Sequence, residues 1–481
     1  MLQLNHMKEL FFEEFILPKI EIKRDFTNID PFDGRYLRQT TSKYLSEGSR
    51  VAYQAYIEYA LVHSLAEYGI CSPKVAQEVY KILPQITPQL VAKQELKTRH
   101  DLKALVEVMR SKLSEQSRAF VHMGATSNDI VSVAQSLQMK QATKQVVLVN
   151  LKALLKTLIK LVDLYAETLQ IGRTHGQHAL PITFGFALSE YLNRIAESIS
   201  IIENLLESLE AKFSGAVGTY AAMALIIENP IEFEHRLISK LGLKLSRSST
   251  QIVPPESLTR LFDELMNVAG AIANLAHDMR HLQRTEISEI REKFEQGQTG
   301  SSTMAHKRNP ISFENVASLY KQVLAQGINY RQNLISEHQR DLSDSASSRF
   351  YPILLAAVAE MAFRLNKTMA KIEVDKEAMQ KNLYMLQGSI GSEPLYLLLN
   401  KYGHPDGHSA AKILAQSAID NQQSFYEAVA ANKDIMENYW PQFSKKEKEI
   451  IFNPEQNYTG LAAKKAKLIA DNWRQKITGR N

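Results

Sequence analysis

Glycine and proline, the residues that most often interrupt helices, are scarce in this chain. Its 481 residues include 20 glycines and 15 prolines, together about 7% where soluble proteins average about 12%. So few helix breakers predict long, uninterrupted helices. The length is enough for roughly three domains of about 150 residues each, with a large buried core.

Cysteine and long apolar runs are also nearly absent. The single cysteine, Cys71, cannot form an intrachain disulfide, which indicates a core thiol and a reducing compartment, the cytoplasm. The N-terminal segment MLQLNHMKELFFEEF mixes Glu and Lys with its apolar residues, unlike a signal or transit peptide. Because no stretch approaches about 18 uncharged apolar residues, neither a transmembrane helix nor a membrane partner is expected.

Positive charge is not concentrated on any one element. The 57 basic and 52 acidic residues are well mixed and leave a net charge of +5, whereas a nucleic-acid-binding protein usually collects Lys and Arg on one element. The pairs Lys445-Lys446 and Lys464-Lys465 lie among acidic or small residues, and we interpret them as solvated helix faces. This balance argues against nucleic acid as a partner and suits small polyanionic substrates.

Apolar residues recur at spacings of three and four over long stretches. One such stripe runs from Leu192 to Phe213, another from Leu261 to Leu282, and a third from Leu151 to Leu169. Less regular stripes cover 311–332 and 351–375. Sustained stripes of this kind are typical of long helices packed at shallow angles. We therefore predict five long helices between about 127 and 375, forming one bundle.

The segments on either side of the predicted bundle contain more breaks. Residues 1–125 are interrupted by prolines and residues 376–481 by glycines, so both are predicted to be smaller helical domains. With residues 126–375 as the central bundle domain, the predicted fold is all-α, with three mostly helical domains. No internal repeat and no alternation of strands with helices is found.

Six polar segments interrupt the apolar stripes, each at a predicted helix end or loop, where functional side chains are often displayed. They are FDGRY (32–36), TRHD (98–101), GATSND (124–129), GRTHGQHALP (172–181), GQTGSSTMAHKRNP (297–310) and QRDLSDSASSR (339–349). The fifth is not a phosphate-binding P-loop, because serine follows its second glycine and the lysine comes seven residues later. Taken one at a time, such residues have plain structural explanations. His175 could be a hydrogen-bonded loop histidine, Ser301 a turn residue, and Arg340 with Asp341 a surface ion pair.

Together, the polar segments resemble the aspartase/fumarase superfamily. Its signature loop reads Gly-Ser-Ser-x-Met-Pro-x-Lys-x-Asn-Pro, and residues 300–310 read GSSTMAHKRNP, departing only at Ala305. Thr-His-Gly-Gln at 174–177 is similar to the branch that acts on succinylated nucleotides. FDGRY, RHD, Thr-Ser, Ser-Thr-Gln at 249–251 and QRD follow in the superfamily's order, so the resemblance spans about residues 30–415.

This resemblance implies a β-elimination that releases fumarate from a succinyl-amino group. Such a reaction needs a base, groups that stabilise the charge developing on a carboxylate, and an acid for the leaving nitrogen. By resemblance, Ser301 is the general base and His175 the general acid, while His100 orients the substrate or neutralises its phosphate. Lys307 would lower the cost of negative charge near Ser301. Asn309 and the proline after it are predicted to begin a helix whose unpaired N–H groups hold a carboxylate.

The resemblance also implies a set of substrate-binding residues, in which guanidinium groups suit phosphate and carboxylate because they bind them bidentately. These residues are Arg35, Tyr36, Arg99, His100, Asp101, Thr126, Ser127, Gln251, Lys307, Asn309, Arg340, Ser345 and Arg349. No cofactor and no metal is expected. His277 and His281 are four residues apart on a predicted helix, but HDMRH lacks the Glu of the zinc motif HExxH.

The superfamily assembles as a homotetramer whose sites are each built from three chains, and the resemblance implies the same here. Two alternatives stay open: another superfamily lyase with a related succinyl substrate, and a non-catalytic helical scaffold that keeps the fold. Ala305 stands where the superfamily has proline, which restricts φ. We therefore expect a more mobile loop, at a cost of at most about 1 kcal/mol when the loop closes.

Overall fold

In a computed structural model, the structure describes residues 17, 24–25, 27–295, 297, 303–304 and 306–478. About 66% of the described residues are helical and the strands among them are few and short, so the predicted all-α class is confirmed. Ser301 and Ala305, on which two of the predictions rest, lie outside the described residues. Within the described ranges, no helix is both long and apolar enough to cross a bilayer.

Helices of 4 to 21 residues come first along the chain. They are α1 (Gln39–Leu45), α2 (Glu47–Glu67), α3 (Pro73–Ile82), α4 (Pro88–Thr98), α5 (Asp101–Ser111) and α6 (Glu115–Arg118). The next group holds the long helices and one short one: α7 (Ser127–Ala142), α8 (Leu148–Leu164), α9 (Phe184–Glu207), α10 (Pro230–Lys240), α11 (Glu256–Leu282), α12 (Ile311–Gln332) and α13 (Tyr351–Met369). The last group contains α14 (Lys376–Leu383), α15 (Ser392–Lys401), α16 (Gly407–Asp420), α17 (Phe425–Ala430), α18 (Lys445–Phe452), α19 (Pro454–Asn457) and α20 (Ala462–Thr478).

Local chemistry explains where several helices begin. Helices α3, α4 and α10 each start with proline, whose fixed φ suits the first helical position and whose missing N–H would have no partner there. The preceding residues Ser72, Thr87 and Asn229 accept a first-turn backbone N–H with their side-chain oxygen. Such a cap supplies a partner for an N–H group that the helix itself leaves unpaired.

The five long helices agree with the apolar stripes. Helices α7 and α8 are joined by a π-helical turn, Thr143–Val147, so residues 127–164 form one continuous helical segment, followed by α9, α11, α12 and α13. Along α11, the stripe residues Leu261, Leu265, Val268, Ile272 and Leu275 are fully buried. The stripes are therefore core, as their spacing predicts.

The chain divides into two compact units. The first consists of the described residues of Met1–Lys152, Glu197–Gly270 and Ser318–Phe363, and the second of Ala153–Ala196, Ala271–Ala317 and Arg364–Asn481. The predicted division into three domains stays a prediction. In the second unit, helices α15 to α18 enclose a core of their own, formed by residues such as Leu395, Leu399, Leu414, Phe425 and Val429.

Short strands supplement the helices. In the second unit β1 (Leu169–Thr174) pairs antiparallel with β2 (Gln177–Thr183), and β5 (Ile290–Arg291) pairs antiparallel with β6 (Glu373–Val374). In the first unit β3 (Glu210–Ala211) pairs with β4 (Lys244–Leu245) in parallel. Placing residues 172–181 at a helix end or loop was therefore wrong. Segments this short, in a chain dominated by helical periodicity, give little period-two signal.

Candidate active site

The segment 98–101 joins two helices of the first unit. Arg99 ends α4 in the left-handed conformation, with φ 52°, which reverses the chain and leaves its side chain exposed. His100 caps α5: its Nδ1 accepts the backbone N–H of Lys103 at 3.4 Å. The cap uses only one ring nitrogen, and the side chain is 51% exposed. The rest of the imidazole ring is therefore accessible to a ligand.

Asp101 connects this junction to the sixth polar segment. Its Oδ2 accepts from Arg349 Nη2 at 2.8 Å, and Arg50 Nη1 lies 3.7 Å from the same oxygen. Burial raises the pKa of the Asp101 carboxyl, but the Leu102 N–H, Arg50 and Arg349 outweigh it, so the net pKa is lowered. The carboxylate therefore stays ionised and holds Arg349, whose side chain remains half exposed.

Thr126 and Ser127 lie at the start of α7. Thr126 precedes the helix, and its N–H donates to Asp129 Oδ2 at 2.8 Å. Asp129 is fully buried and forms an ion pair at 2.7 Å with Lys212, which is also fully buried. Gly215 N–H donates to the same carboxylate at 3.3 Å. The position of the Thr-Ser pair is thus set by a charge pair beneath it.

Gln251 links two of the predicted segments. Its Oε1 accepts from Asn128 Nδ2 at 3.1 Å, and its N–H donates to the carbonyl of Gln339 at 3.2 Å. Arg340 therefore lies next to a segment fixed to the start of α7. An open cavity in the first unit is lined by Asn128 and Arg340 together with residues of α11, α12 and α13. Of the residues that the resemblance assigns to substrate binding, Gln251 is thus joined to the start of α7, and Arg340 follows the residue to which Gln251 is bonded.

Arg340 and Arg35 differ in exposure. Arg340 is 15% exposed and its Nη1 lies 2.8 Å from Asp344 Oδ1, so its ion-pair partner is Asp344 rather than the neighbouring Asp341. Arg35 is exposed and follows a 3-10 turn, Pro31–Asp33. Tyr36 donates its N–H to the carbonyl of Pro31 at 3.0 Å. Ser345 is exposed as well, close to Asp344 in the chain.

His175 occupies the tip of the β1–β2 hairpin in the second unit. Thr174 pairs with Gln177, so the turn consists of His175 and Gly176, with φ of 52° and 75°. Positive φ at both positions matches the type I′ turn that two-residue hairpins favour, with glycine at the second position. The motif Thr-His-Gly-Gln thereby displays an exposed imidazole in a conformation that is strained for a residue with a side chain.

Lys307 and Asn309 precede α12. Lys307 is exposed, its N–H donates to the carbonyl of Met304 at 3.0 Å, and the carbonyl of Asn309 accepts from Ile311 N–H at 2.9 Å. The predicted anion site of unpaired N–H groups at this helix start is wrong. The N–H groups of Ser312 and Phe313 donate to the buried carboxylate of Glu292, each at 2.9 Å, so an internal acid already occupies the helix N-terminus.

Two carboxylate-held groups near the site were not predicted from the sequence. His122 has φ 65°, and its N–H and Nδ1 contact Glu58 at 2.9 and 2.6 Å. Arg38 pairs with Glu360 and lies 3.5 Å above the Phe363 ring. Glu58 was the available signal, because it is a single acid inside the apolar stretch AYIEYALV, where burial requires a partner.

The predicted residues divide between the units. The first unit contains Arg35, Tyr36, Arg99, His100, Asp101, Thr126, Ser127, Gln251, Arg340, Ser345 and Arg349, and the second contains His175, Lys307 and Asn309. Donors and cations that suit an anionic ligand are thus concentrated in the first unit, which also contains the exposed His100, and the exposed His175 lies in the second. Over the described ranges, no group of three or more His, Cys, Asp or Glu side chains is arranged to hold a metal ion.

Two solved enzyme structures have the same fold as this chain. The chain matches a fumarate lyase from Mesorhizobium sp. BNC1 with a TM-score of 0.79 and 20% identity, covering 91% of this chain and 98% of that one. It matches a 3-carboxy-cis,cis-muconate lactonizing enzyme from Pseudomonas putida with a TM-score of 0.80 and 23% identity, covering 92% and 99%. The family model described as Lyase covers residues 32–325. The chain is therefore a lyase-family protein with the fold of the aspartase/fumarase superfamily.

A second family model and two relatives show to which family of lyases the chain belongs. A model described as adenylosuccinate lyase C-terminal covers residues 336–445. The adenylosuccinate lyase of Archaeoglobus fulgidus is 32% identical over 445 residues, which is 92% of this chain and 98% of that protein. The adenylosuccinate lyase of Thermotoga maritima is 32% identical over 79% of this chain and 87% of that protein. The chain belongs to the adenylosuccinate lyase family.

Proposed function

We propose that the protein eliminates fumarate from adenylosuccinate to give AMP. We also propose that it eliminates fumarate from the succinyl-aminoimidazole-carboxamide ribotide (SAICAR) to give AICAR, both in purine nucleotide biosynthesis. Family membership supports the reaction class. The observation that carries the proposal is the cluster in the first unit, where Asp101 holds Arg349 and Gln251 joins the start of α7 to the segment of Arg340.

That cluster suits the anionic parts of a succinylated nucleotide. A substrate of this class carries two carboxylates and a phosphate, and guanidinium groups bind both kinds of anion bidentately. Arg349 is held through one nitrogen by Asp101, while half of its side chain stays accessible. Arg35, Arg99 and His100 add exposed cationic or donor groups in the same unit.

Two residues transfer protons in this proposal, His175 of the second unit and Ser301. His175 is the general acid that protonates the departing nitrogen, a role that imidazole suits near neutral pH. Ser301 is the general base that removes the proton next to a carboxylate. Lys307 stabilises the negative charge that develops around Ser301, and Asn309 binds substrate beside it. No metal and no cofactor takes part.

We further propose a homotetramer with sites shared among three chains, in the cytoplasm. Five of the proposed site residues are exposed in the single chain, as expected for sites that neighbouring copies complete. They are Arg35, Arg99, His100, His175 and Lys307. Cys71 is a buried thiol, as suits a reducing compartment.

A direct assay tests the reaction. Purified full-length protein should consume adenylosuccinate, followed by the loss of its absorbance, and release fumarate in equal amount. His175→Ala and Ser301→Ala should each lower kcat by roughly 100-fold or more, the range for removing a general acid or base. Unchanged turnover in both variants would refute the assigned roles, even with the reaction confirmed.

A second candidate is another lyase of the same superfamily with a related succinyl substrate. The fold favours it as a competitor, since a lactonizing enzyme shares this fold at a TM-score of 0.80 and one fold supports several chemistries. No turnover of adenylosuccinate or SAICAR, with turnover of another succinyl compound, would select this candidate. The absence of any turnover would favour a non-catalytic scaffold.

A further inference from the structure

The hairpin that carries His175 needs an anchor below its tip. Thr174 to Gln177 are all exposed, and the turn has positive φ at both central residues. The register shifts between Ile171 and Arg173, where Gly172 alone faces Ala179 and Leu180 of β2, so β2 has a bulge, a feature that bends a strand and redirects the side chains beyond it. A displayed imidazole on a bulged hairpin stays in place only if the strands are held from behind.

Glu289 lies behind this hairpin with no exposed surface. Its Oε1 accepts from Arg173 Nη2 at 2.5 Å and its Oε2 from Gln170 Nε2 at 2.7 Å. Asn382 Nδ2 donates to Oε1 at 2.9 Å. One carboxylate therefore gathers three donors, and two of them belong to β1, on either side of Gly172.

The Glu289 backbone is fixed just as firmly. Its N–H donates to the carbonyl of Leu282, the last residue of α11, at 3.0 Å, and its carbonyl accepts from Asp375 N–H at 2.9 Å. The preceding residue, Ser288, has φ 54°, a conformation that persists only where the surroundings enforce it. The carboxylate is thus a rigid point to which β1 is attached.

We propose that Glu289 is a positioning residue for His175: through Arg173 and Gln170 it fixes the height and direction of the hairpin tip. This inference rests on the proposed function, in which His175 transfers a proton. Glutamine at 289 would keep the shape of the side chain but would offer one acceptor and an NH2 group to three donors. At least one donor must then turn away, and the tip shifts.

The test compares three variants of the full-length protein. Glu289→Gln removes the charge, and Arg173→Lys keeps the buried charge paired but removes the fork. The matched control is Glu447→Gln, which removes another multiply hydrogen-bonded carboxylate of the second unit, held by Lys401 at 2.7 Å among the C-terminal helices. Each is measured for kcat and KM with adenylosuccinate, for the pH dependence of kcat, for Tm, and for hydrogen–deuterium exchange of residues 169–183.

Glu289→Gln should lower kcat by roughly 10- to 100-fold, because a misplacement of about 1 Å can cost that much. KM should change less than about threefold, since the proposed substrate-binding cluster is untouched. The pH profile of kcat should shift and exchange in 169–183 should accelerate. Arg173→Lys should change these quantities in the same direction by less, and Glu447→Gln should alter only Tm.

A wild-type kcat and pH profile in Glu289→Gln, with only Tm lowered, would show that Glu289 has a merely structural role. If Glu289→Gln does not fold, a folded Arg173→Lys with wild-type kcat overturns the inference instead. Lack of turnover by the wild-type protein would refute the proposed function separately. Hydrogen exchange still decides in that case, because unchanged protection of 169–183 in the variants would refute the anchor itself.

Discussion

At the scale of single residues, acidic and basic side chains with almost no exposed surface lie beneath the segments of the candidate site. Lys212 and Asp129 lie under the Thr-Ser pair, and Glu58 lies under His122. Burying a charge is costly unless it is paired and hydrogen-bonded. These pairs hold loop segments in place from below, which an apolar core residue cannot do with the same directionality.

Lys212→Met should destabilise the protein by about 3–5 kcal/mol, because it leaves Asp129 buried without its cation. Lys212 also donates to the carbonyl of Gly215 at 2.8 Å, and burial lowers its pKa against the opposing attraction of Asp129. The measurement is the midpoint of urea unfolding. The control is Lys152→Met, which breaks a half-exposed pair with Glu203 and should cost no more than about 1 kcal/mol. Equal losses in the two variants would contradict this account.

At the scale of elements, loops interlock by close backbone approach. The loop 214–222 runs past the segment that carries Gln251, and Ser214 Oγ lies 2.7 Å from Ser249 Oγ. A Cβ added at Gly218 would come 2.2 Å from the carbonyl oxygen of Ser249. At Gly215, which also has positive φ, a Cβ would meet nothing within 4 Å.

Gly218→Ala should therefore destabilise the protein more than Gly215→Ala and should raise KM for the substrate. Both variants carry the cost of positive φ, about 1–2 kcal/mol, but only Gly218→Ala must displace the backbone beside Gln251. Urea unfolding and steady-state kinetics measure the two effects. If the two variants match in both stability and KM, the close approach at Gly218 has no bearing on the site.

Helix α18 offers a test by pH. Glu447 accepts from Lys401 at 2.7 Å, Ser444 N–H at 2.8 Å and Tyr402 at 3.0 Å. The Lys401 ammonium, followed by the Ser444 donors, lowers the pKa of Glu447 to about 2 from an ordinary 4.5. A lowered carboxylate pKa stabilises the fold above the unfolded-state value, and this contribution is lost as pH falls through the folded-state value.

Glu447→Gln should therefore lower Tm at pH 7, and the difference from the wild-type protein should shrink as pH falls from about 5 towards 2. Thermal unfolding at a series of pH values measures it. Glu437→Gln, at an exposed position of the same C-terminal region, should leave Tm within about 1 °C throughout. A Tm difference for Glu447→Gln that does not depend on pH would mean that the carboxylate charge is not responsible.

At the scale of the whole molecule, the proposed site residues divide between two units of one chain. Large apolar side chains stay exposed on α12 and just beyond it, among them Ile328 and Ile335. Exposed apolar surface of this kind is usual where protein subunits associate. Together with the exposed catalytic candidates, it supports the proposed tetramer.

Mixing two inactive variants should restore activity if each site is shared. In the proposed tetramer, co-refolded His175→Ala and Ser301→Ala chains would form hybrids in which some sites receive both native residues. The specific activity of the mixture should exceed that of either variant by at least about tenfold. The control is each variant refolded alone under the same conditions. No recovery, or a chain that light scattering shows to be monomeric, would contradict shared sites.

The sequence determined what depends on local spacing. The 3.6-residue period located the long helices, because burial of one helix face follows directly from it. The order of the polar motifs along the chain identified the superfamily and most of the candidate residues. Glu58 could also have been found from the sequence, because it is a single acid in an apolar stretch.

Only the tertiary structure decided which charged side chains meet. Asp101 and Arg349 are 248 positions apart, and Glu289 joins residues 119 positions back and 93 ahead. The occupied N-terminus of α12 was mistaken for an anion site for the same reason. The residue that fills it, Glu292, follows β5 and lies 20 positions before Ser312, and packing, rather than sequence spacing, chooses the partner of a buried polar group.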